Sequence, residues 1–222
     1  MSNARFLILH GWQNRRPANH WQHWLATSLT DSGHAVDYPQ LPSPDDPDLE
    51  AWLSQLTTHT TALTTPPGST LPGTTPPGSA LPGSADEAAG STTVICHSLG
   101  CLLWLHGAAR GLITTPVDQV LLIAPPSASI ALANPEIAAF APPPVTSAQL
   151  TAAARYTRLI ASNNDPYCPE GAAESFGRPL NLDTDLLPGT SHLNPDSGYG
   201  SWPSLLEWCL NPSPSTRITP RA

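Results

Sequence analysis

Thr92-Thr93-Val94-Ile95-Cys96-His97-Ser98-Leu99-Gly100-Cys101 is the stretch on which the fold turns. A β-branched run ends in a serine one residue before a glycine, and Leu99, Leu102, Leu103, Leu105, Ala108 and Ala109 then give an apolar helical pattern. A strand, a sharp turn carrying serine and a helix make up the nucleophile elbow, in which small flanking residues let the backbone fold tightly and leave the hydroxyl exposed above the sheet. Gly100 supplies the second small position, while Cys96 stands where the Gly-x-Ser-x-Gly pattern has its first glycine.

Outward from the elbow, the apolar runs predict strands at 6–9, 35–38, 117–123, 156–161 and around 183–187. Between them, helical spacing from Asn19 (Trp21, Trp24, Leu25, Leu29, closed by Gly33), from Asp48 (Leu49, Trp52, Leu53, Leu56), over 170–176 and from Trp202 to Cys209 predicts helices. The near-continuous apolar run at 117–123 fits a strand covered on both faces. Alternation of this kind predicts an α/β fold, a compact and mostly parallel sheet flanked by helices with little or no cap domain. Residues 1–210 read as a single domain. Two copies of a Thr-Pro-Pro-Gly-Ser decamer make 64–91 a flexible insertion, since Pro and Gly at that density build neither helix nor ladder. The tail 211–222 reads as disordered, and 125–144, rich in Ala and Pro, as a connection able to line or cover a pocket.

Composition narrows the function. The net charge is −8 and all nine basic residues are Arg, a poor match to nucleic acid or an anionic membrane. The apolar run at 6–9 is too short for a signal-peptide core, and no stretch approaches the ~18 apolar residues of a membrane span, so the cytoplasm is the expected location. Cys96, Cys101, Cys168 and Cys209 lack metal-site spacing and read as buried thiols. His20-x-x-His23 has no second ligand cluster, and the first strand is followed by no phosphate loop; neither a metal nor a cofactor is expected.

A serine hydroxyl needs a base, and the base an acid that orients it. In the chain order Ser, acid, His, the strand ends after Ser98 offer Asp165 and His192. Asp183 and Asp185 begin a strand and so lie at the wrong edge; His97 is too close to Ser98 in sequence to reach round to it, and His20, His23, His34 and His59 precede the elbow. The backbone N–H groups of Leu99 and of Trp12, after the first strand, are the candidate oxyanion donors. His10, Trp21 and Tyr167 are candidate pocket residues.

Several blocks together resemble one family. They are His10-Gly11-Trp12, Asn19-His20-Trp21-Gln22-x-Trp24, Pro47-x-Leu49-x-x-Trp52, His97-Ser98-Leu99-Gly100, Ser162-x-x-Asp165-Pro166, and His192-Leu193-Asn194-x-x-Ser197-Gly198-Tyr199-Gly200-x-Trp202-Pro203. These are similar to the retinoblastoma-binding protein 9-like (YdeN-type) serine hydrolases of the α/β-hydrolase superfamily. The resemblance implies a small intracellular hydrolase with Ser98, Asp165 and His192 on the triad positions and a small residue tolerated at Cys96. The expected partner is a small-molecule acyl substrate, an ester, thioester or amide. A catalytically silent binding protein on the same fold and an acyltransferase using the same triad are the alternatives.

Overall fold

The computed structural model describes residues 3–65 and 90–221; most of the predicted insertion 64–91 lies outside them. Six strands, β1 (Arg5–Leu9), β2 (Ala35–Asp37), β3 (Thr92–His97), β4 (Val117–Ile123), β5 (Ala154–Ser162) and β6 (Asp183–Leu187), form one sheet in the order β2-β1-β3-β4-β5-β6. Every pairing is parallel. The register sets Leu9 beside Cys96 and His97 beside Ile123, so the strands finish along one edge.

Both faces of the sheet are covered, as a parallel sheet requires. Alternate side chains go to opposite layers. Leu7, Leu9, Val94, Cys96, Val120, Leu122, Leu159 and Ala161 pack with helices α2 (Leu49–Thr64), α3 (Leu99–Ala109), α4 (Ala128–Ala133) and α5 (Ser147–Ala153). Phe6, Ile8, Ile95, Leu121, Ile123 and Ile160 pack with α1 (Trp21–Asp31) and, at the other end of the chain, the later helix bearing Leu205 and Trp208. Helix α3 is buried from Leu99 through Ala108, which is why its apolar residues run all round it.

The helix starts follow from capping. Asp48 accepts from the Ala51 N–H at 2.7 Å, as its position before α2 predicts. At α1 the cap is His20, one residue beyond the predicted Asn19: its Nδ1 accepts from the Gln22 N–H at 3.1 Å. The reading of 125–144 as a connection without helices is corrected, because α4 and a 3-10 turn over Pro135–Phe140 form there, and α5 follows directly after it. The capping box of Thr146 and Gln149 that starts α5 was the available signal. The helix expected over 170–176 is displaced to a wide turn, Ala173–Gly177, running into α6 (Arg178–Leu180), and α7 spans Pro203–Leu210.

The tail expected to be disordered is instead held against the fold from Ser213 to Thr219. Arg158, fully buried on β5, donates to Asp183 at 2.8 Å, to Asp185 at 3.2 Å, and to the carbonyls of Pro214 and Thr216. Arg217 also pairs with both acids, Ile218 is 2% exposed, and Trp202 Nε1 donates to the Thr219 carbonyl at 2.8 Å. A buried guanidinium needs acceptors for its donors, and the tail supplies two of them. Burial alone would raise the Asp183 carboxyl, but hydrogen bonds from Arg217, Tyr156 and Arg158 outweigh it and bring its pKa down to about 2. Arg158→Ala removes the buried partner of Asp185, leaving it Arg217 and the Ile218 N–H, and frees the tail carbonyls; it should cost about 3 kcal/mol in urea unfolding, with the tail becoming sensitive to trypsin at Arg217. A loss under about 1 kcal/mol would mean that the pair is no better than a surface one.

Candidate active site

The site lies where the strand order reverses, between β1 and β3, at the carboxyl edge of the sheet. Ser98 sits between β3 and α3 with φ 53° and ψ −123°, a left-handed conformation that L-residues with a side chain rarely adopt. Two glycines make room for it. A Cβ on Gly100 would stand 2.8 Å from the carbonyl oxygens of Leu9 and His10, so only glycine lets α3 start against the end of β1. A Cβ on Gly11 would stand 2.7 Å from that of Ser98. The crowding at the elbow is thus relieved by the facing loop, and Cys96 points into the core with no need to be glycine.

Asp165, Ser98 and His192 come together. His192 Nε2 is 2.9 Å from Ser98 Oγ, and His192 Nδ1 is 2.9 Å from both Asp165 oxygens. Asp165 and His192 are 5% and 6% exposed, so water competes little for these bonds. The loops bearing them are joined side by side: Thr190 N–H donates to Ser162 Oγ at 3.2 Å, Ser191 N–H to Asn164 Oδ1 at 2.9 Å, and Gly189 N–H to Asn163 Oδ1 at 2.8 Å. Tyr167 N–H donates to Asp165 Oδ1 at 2.8 Å, and the Tyr167 ring lies 4.3 Å from that of His192.

His97, set aside as a base in the sequence, takes a different part. Its Nε2–H donates to the His192 carbonyl at 3.0 Å. Burial, with His192 and His20 close by, holds the His97 ring well below its usual pKa and so neutral. It fixes the backbone of the residue whose ring faces Ser98, a contact that spacing could not reveal.

His10 and Trp21 are corrected as pocket residues. Both are fully buried and lie outside the cavity lining. Trp21 Nε1 donates to the Leu193 carbonyl at 2.7 Å, and its ring meets those of His97 and Trp202 edge-on. His10 accepts at Nε2 from the Leu41 N–H at 2.8 Å, so its proton is on Nδ1 and is donated to the Gly11 carbonyl at 2.8 Å. Burial lowers its pKa to about 4, which keeps that arrangement at neutral pH. Because the Gly11–Trp12 peptide is trans, anchoring its carbonyl turns the Trp12 N–H the opposite way. Neither that N–H nor the one of Leu99 has a protein acceptor among the described residues, and both residues line the cavity over Ser98.

The cavity measures about 390 Å³. Tyr167 lines it, as do Pro126 and Ile137 from the 125–144 connection; Asn194 and Asp196 line it too and were not anticipated. The buried Cys96 and Cys101 thiols are pushed up by burial and stay protonated. Among the described residues no three metal-ligating side chains gather, and no helix is long and apolar enough to cross a membrane.

A parallel sheet in this order, with serine at the β3–α3 turn, the acid after β5 and the histidine after β6, is the fold of the α/β-hydrolases. Within them, the chain belongs to the serine hydrolase family, whose model matches residues 6–67 and 79–209. The ydeN product of B. subtilis has a similar structure: 94% of this chain and 97% of that one align with a TM-score of 0.70 at 19% identity. A YdeN-like hydrolase of Pectobacterium atrosepticum aligns over 92% of this chain and 88% of its own, with a TM-score of 0.60 at 18% identity. Est1E of Butyrivibrio proteoclasticus, solved with ferulic acid bound, aligns over 93% and 88%, with a TM-score of 0.59 at 13% identity. No curated protein matches the sequence.

Proposed function

We propose that this chain hydrolyses a small carboxylic ester, thioester or amide through an acyl-enzyme on Ser98. The observation that carries the reading is the unbroken run of hydrogen bonds from Asp165 through His192 to Ser98 Oγ, each 2.9 Å, at the floor of an open cavity. His192 takes the Ser98 proton as Oγ attacks the carbonyl, then gives it to the leaving group, while Asp165 holds the imidazole in the tautomer with its proton on Nδ1. The backbone N–H groups of Leu99 and Trp12 receive the negative charge that develops on the carbonyl oxygen. At the start of α3 the Leu99 donor also has the helix dipole behind it. Water then attacks the acyl-enzyme with His192 as base, and Ser98 is regenerated. The ferulic acid bound to the structural relative Est1E, a carboxylic acid, supports a carboxylic ester as the first substrate to try.

Incubation with a fluorophosphonate probe followed by peptide mapping tests this. The expected result is a single adduct on Ser98, absent in Ser98→Ala. An unlabelled protein, or an adduct that survives Ser98→Ala, would remove the proposal.

A further inference from the structure

Building on that reading, we infer that His20 selects the leaving group, its Nε2–H donating a hydrogen bond to an oxygen acceptor on the alcohol part of the substrate. Three observations carry this. His20 is 3% exposed and its Nδ1 accepts from the Gln22 N–H, so the ring, when neutral, carries its proton on Nε2. Burial, with His192 and His10 adding to it, lowers its pKa to about 4, so the neutral form prevails at neutral pH. Among the described residues Nε2 has no acceptor, yet it is not one of the sealed polar atoms without partners, which are His34 Nδ1, Trp104 Nε1 and Tyr199 OH. His20 lines the cavity over Ser98, and that cavity is where the donor opens.

Its place decides which part of the substrate it meets. The His20 ring is 5.1 Å from that of His97, which is 5.1 Å from that of His192. In acylation the bond from Ser98 Oγ to the carbonyl carbon forms and the bond to the alcohol oxygen breaks. The serine proton passes through His192 to that departing oxygen, so the alcohol leaves beside His192. Asn194 and Asp196, just after His192, are polar lining residues like His20, whereas Leu99, Pro126 and Ile137 give the cavity apolar lining. His20 keeps its proton throughout. An alkyl alcohol part strips water from the His20 donor and offers nothing in return. An ether or hydroxyl oxygen at the same place satisfies it, a difference of about tenfold in rate.

Two acetates test this, 2-methoxyethyl acetate and butyl acetate, which share an acyl group and differ by one ether oxygen in place of a methylene. The variant is His20→Asn, because asparagine also caps a helix well and leaves α1 its start; His20→Ser, another good cap, serves if that variant does not fold. The ratio of kcat/KM for the ether ester over the butyl ester should fall about tenfold from wild type to variant. An unchanged ratio, or an equal loss on both esters, would make His20 a structural cap and overturn the inference with the hydrolase reading intact. Turnover of neither ester by the wild type would also overturn the inference, while fluorophosphonate labelling of Ser98 decides the hydrolase reading separately.

Discussion

His192→Ala should lower kcat for p-nitrophenyl acetate by about 10⁶-fold and leave the protein folded. The size follows from the proposed mechanism: His192 Nε2 contacts Ser98 Oγ at 2.9 Å as its base, and without it the hydroxyl remains a weak nucleophile at neutral pH. Two other imidazoles lie close, and neither replaces it. The Nε2 of His97 is held by the backbone carbonyl of residue 192, a bond that the alanine variant keeps. His20 has its basic nitrogen occupied by the Gln22 N–H. The fold survives because the loop is fastened by bonds that do not use the ring, those from Thr190, Ser191 and His97. Thermal unfolding and steady-state kinetics on the same preparation check both halves. A loss smaller than about 10²-fold would mean that a different group takes the serine proton.

Asp165→Asn is a quieter change in shape with an expected loss of about 10⁴-fold in kcat. Tyr167 N–H requires an acceptor at Oδ1, so the amide of asparagine turns its NH₂ to the Oδ2 position, against His192 Nδ1. A donor there favours the tautomer with the proton on Nε2, which cannot accept from Ser98. The reduced carboxylate support also removes stabilisation of the imidazolium formed during attack. Turnover equal to wild type would show that the acid is another residue. The two rivals near in sequence are poor substitutes, since Asp183 and Asp185, at the start and middle of β6, are tied to Arg158 and Arg217.

Much of the fold was legible because periodicity is local. The runs at 117–123 and 183–187 match β4 and β6 as found, and Asp48 caps α2 as its position implies. What escaped depended on partners far away in the chain. The tail has no apolar period to announce order; its order comes from a buried arginine on β5 that needs its carbonyls. His10, at the first strand end, and the aromatic Trp21 look like pocket residues, yet a full set of packing and hydrogen-bond partners draws both inward.

By itself the sequence determined the alternation of strands and helices, the serine at a strand-to-helix turn, and the order in which acid and histidine follow it, because each is written in neighbouring residues. Only the tertiary structure decided which groups meet: the 2.9 Å contacts across the loops after β3, β5 and β6, the glycine at position 11 that makes room for a left-handed Ser98, and the turn of His97 and His20 toward one backbone carbonyl and one open cavity. Those are consequences of bringing the carboxyl ends of separate parallel strands to a single edge, and no spacing along the chain encodes them.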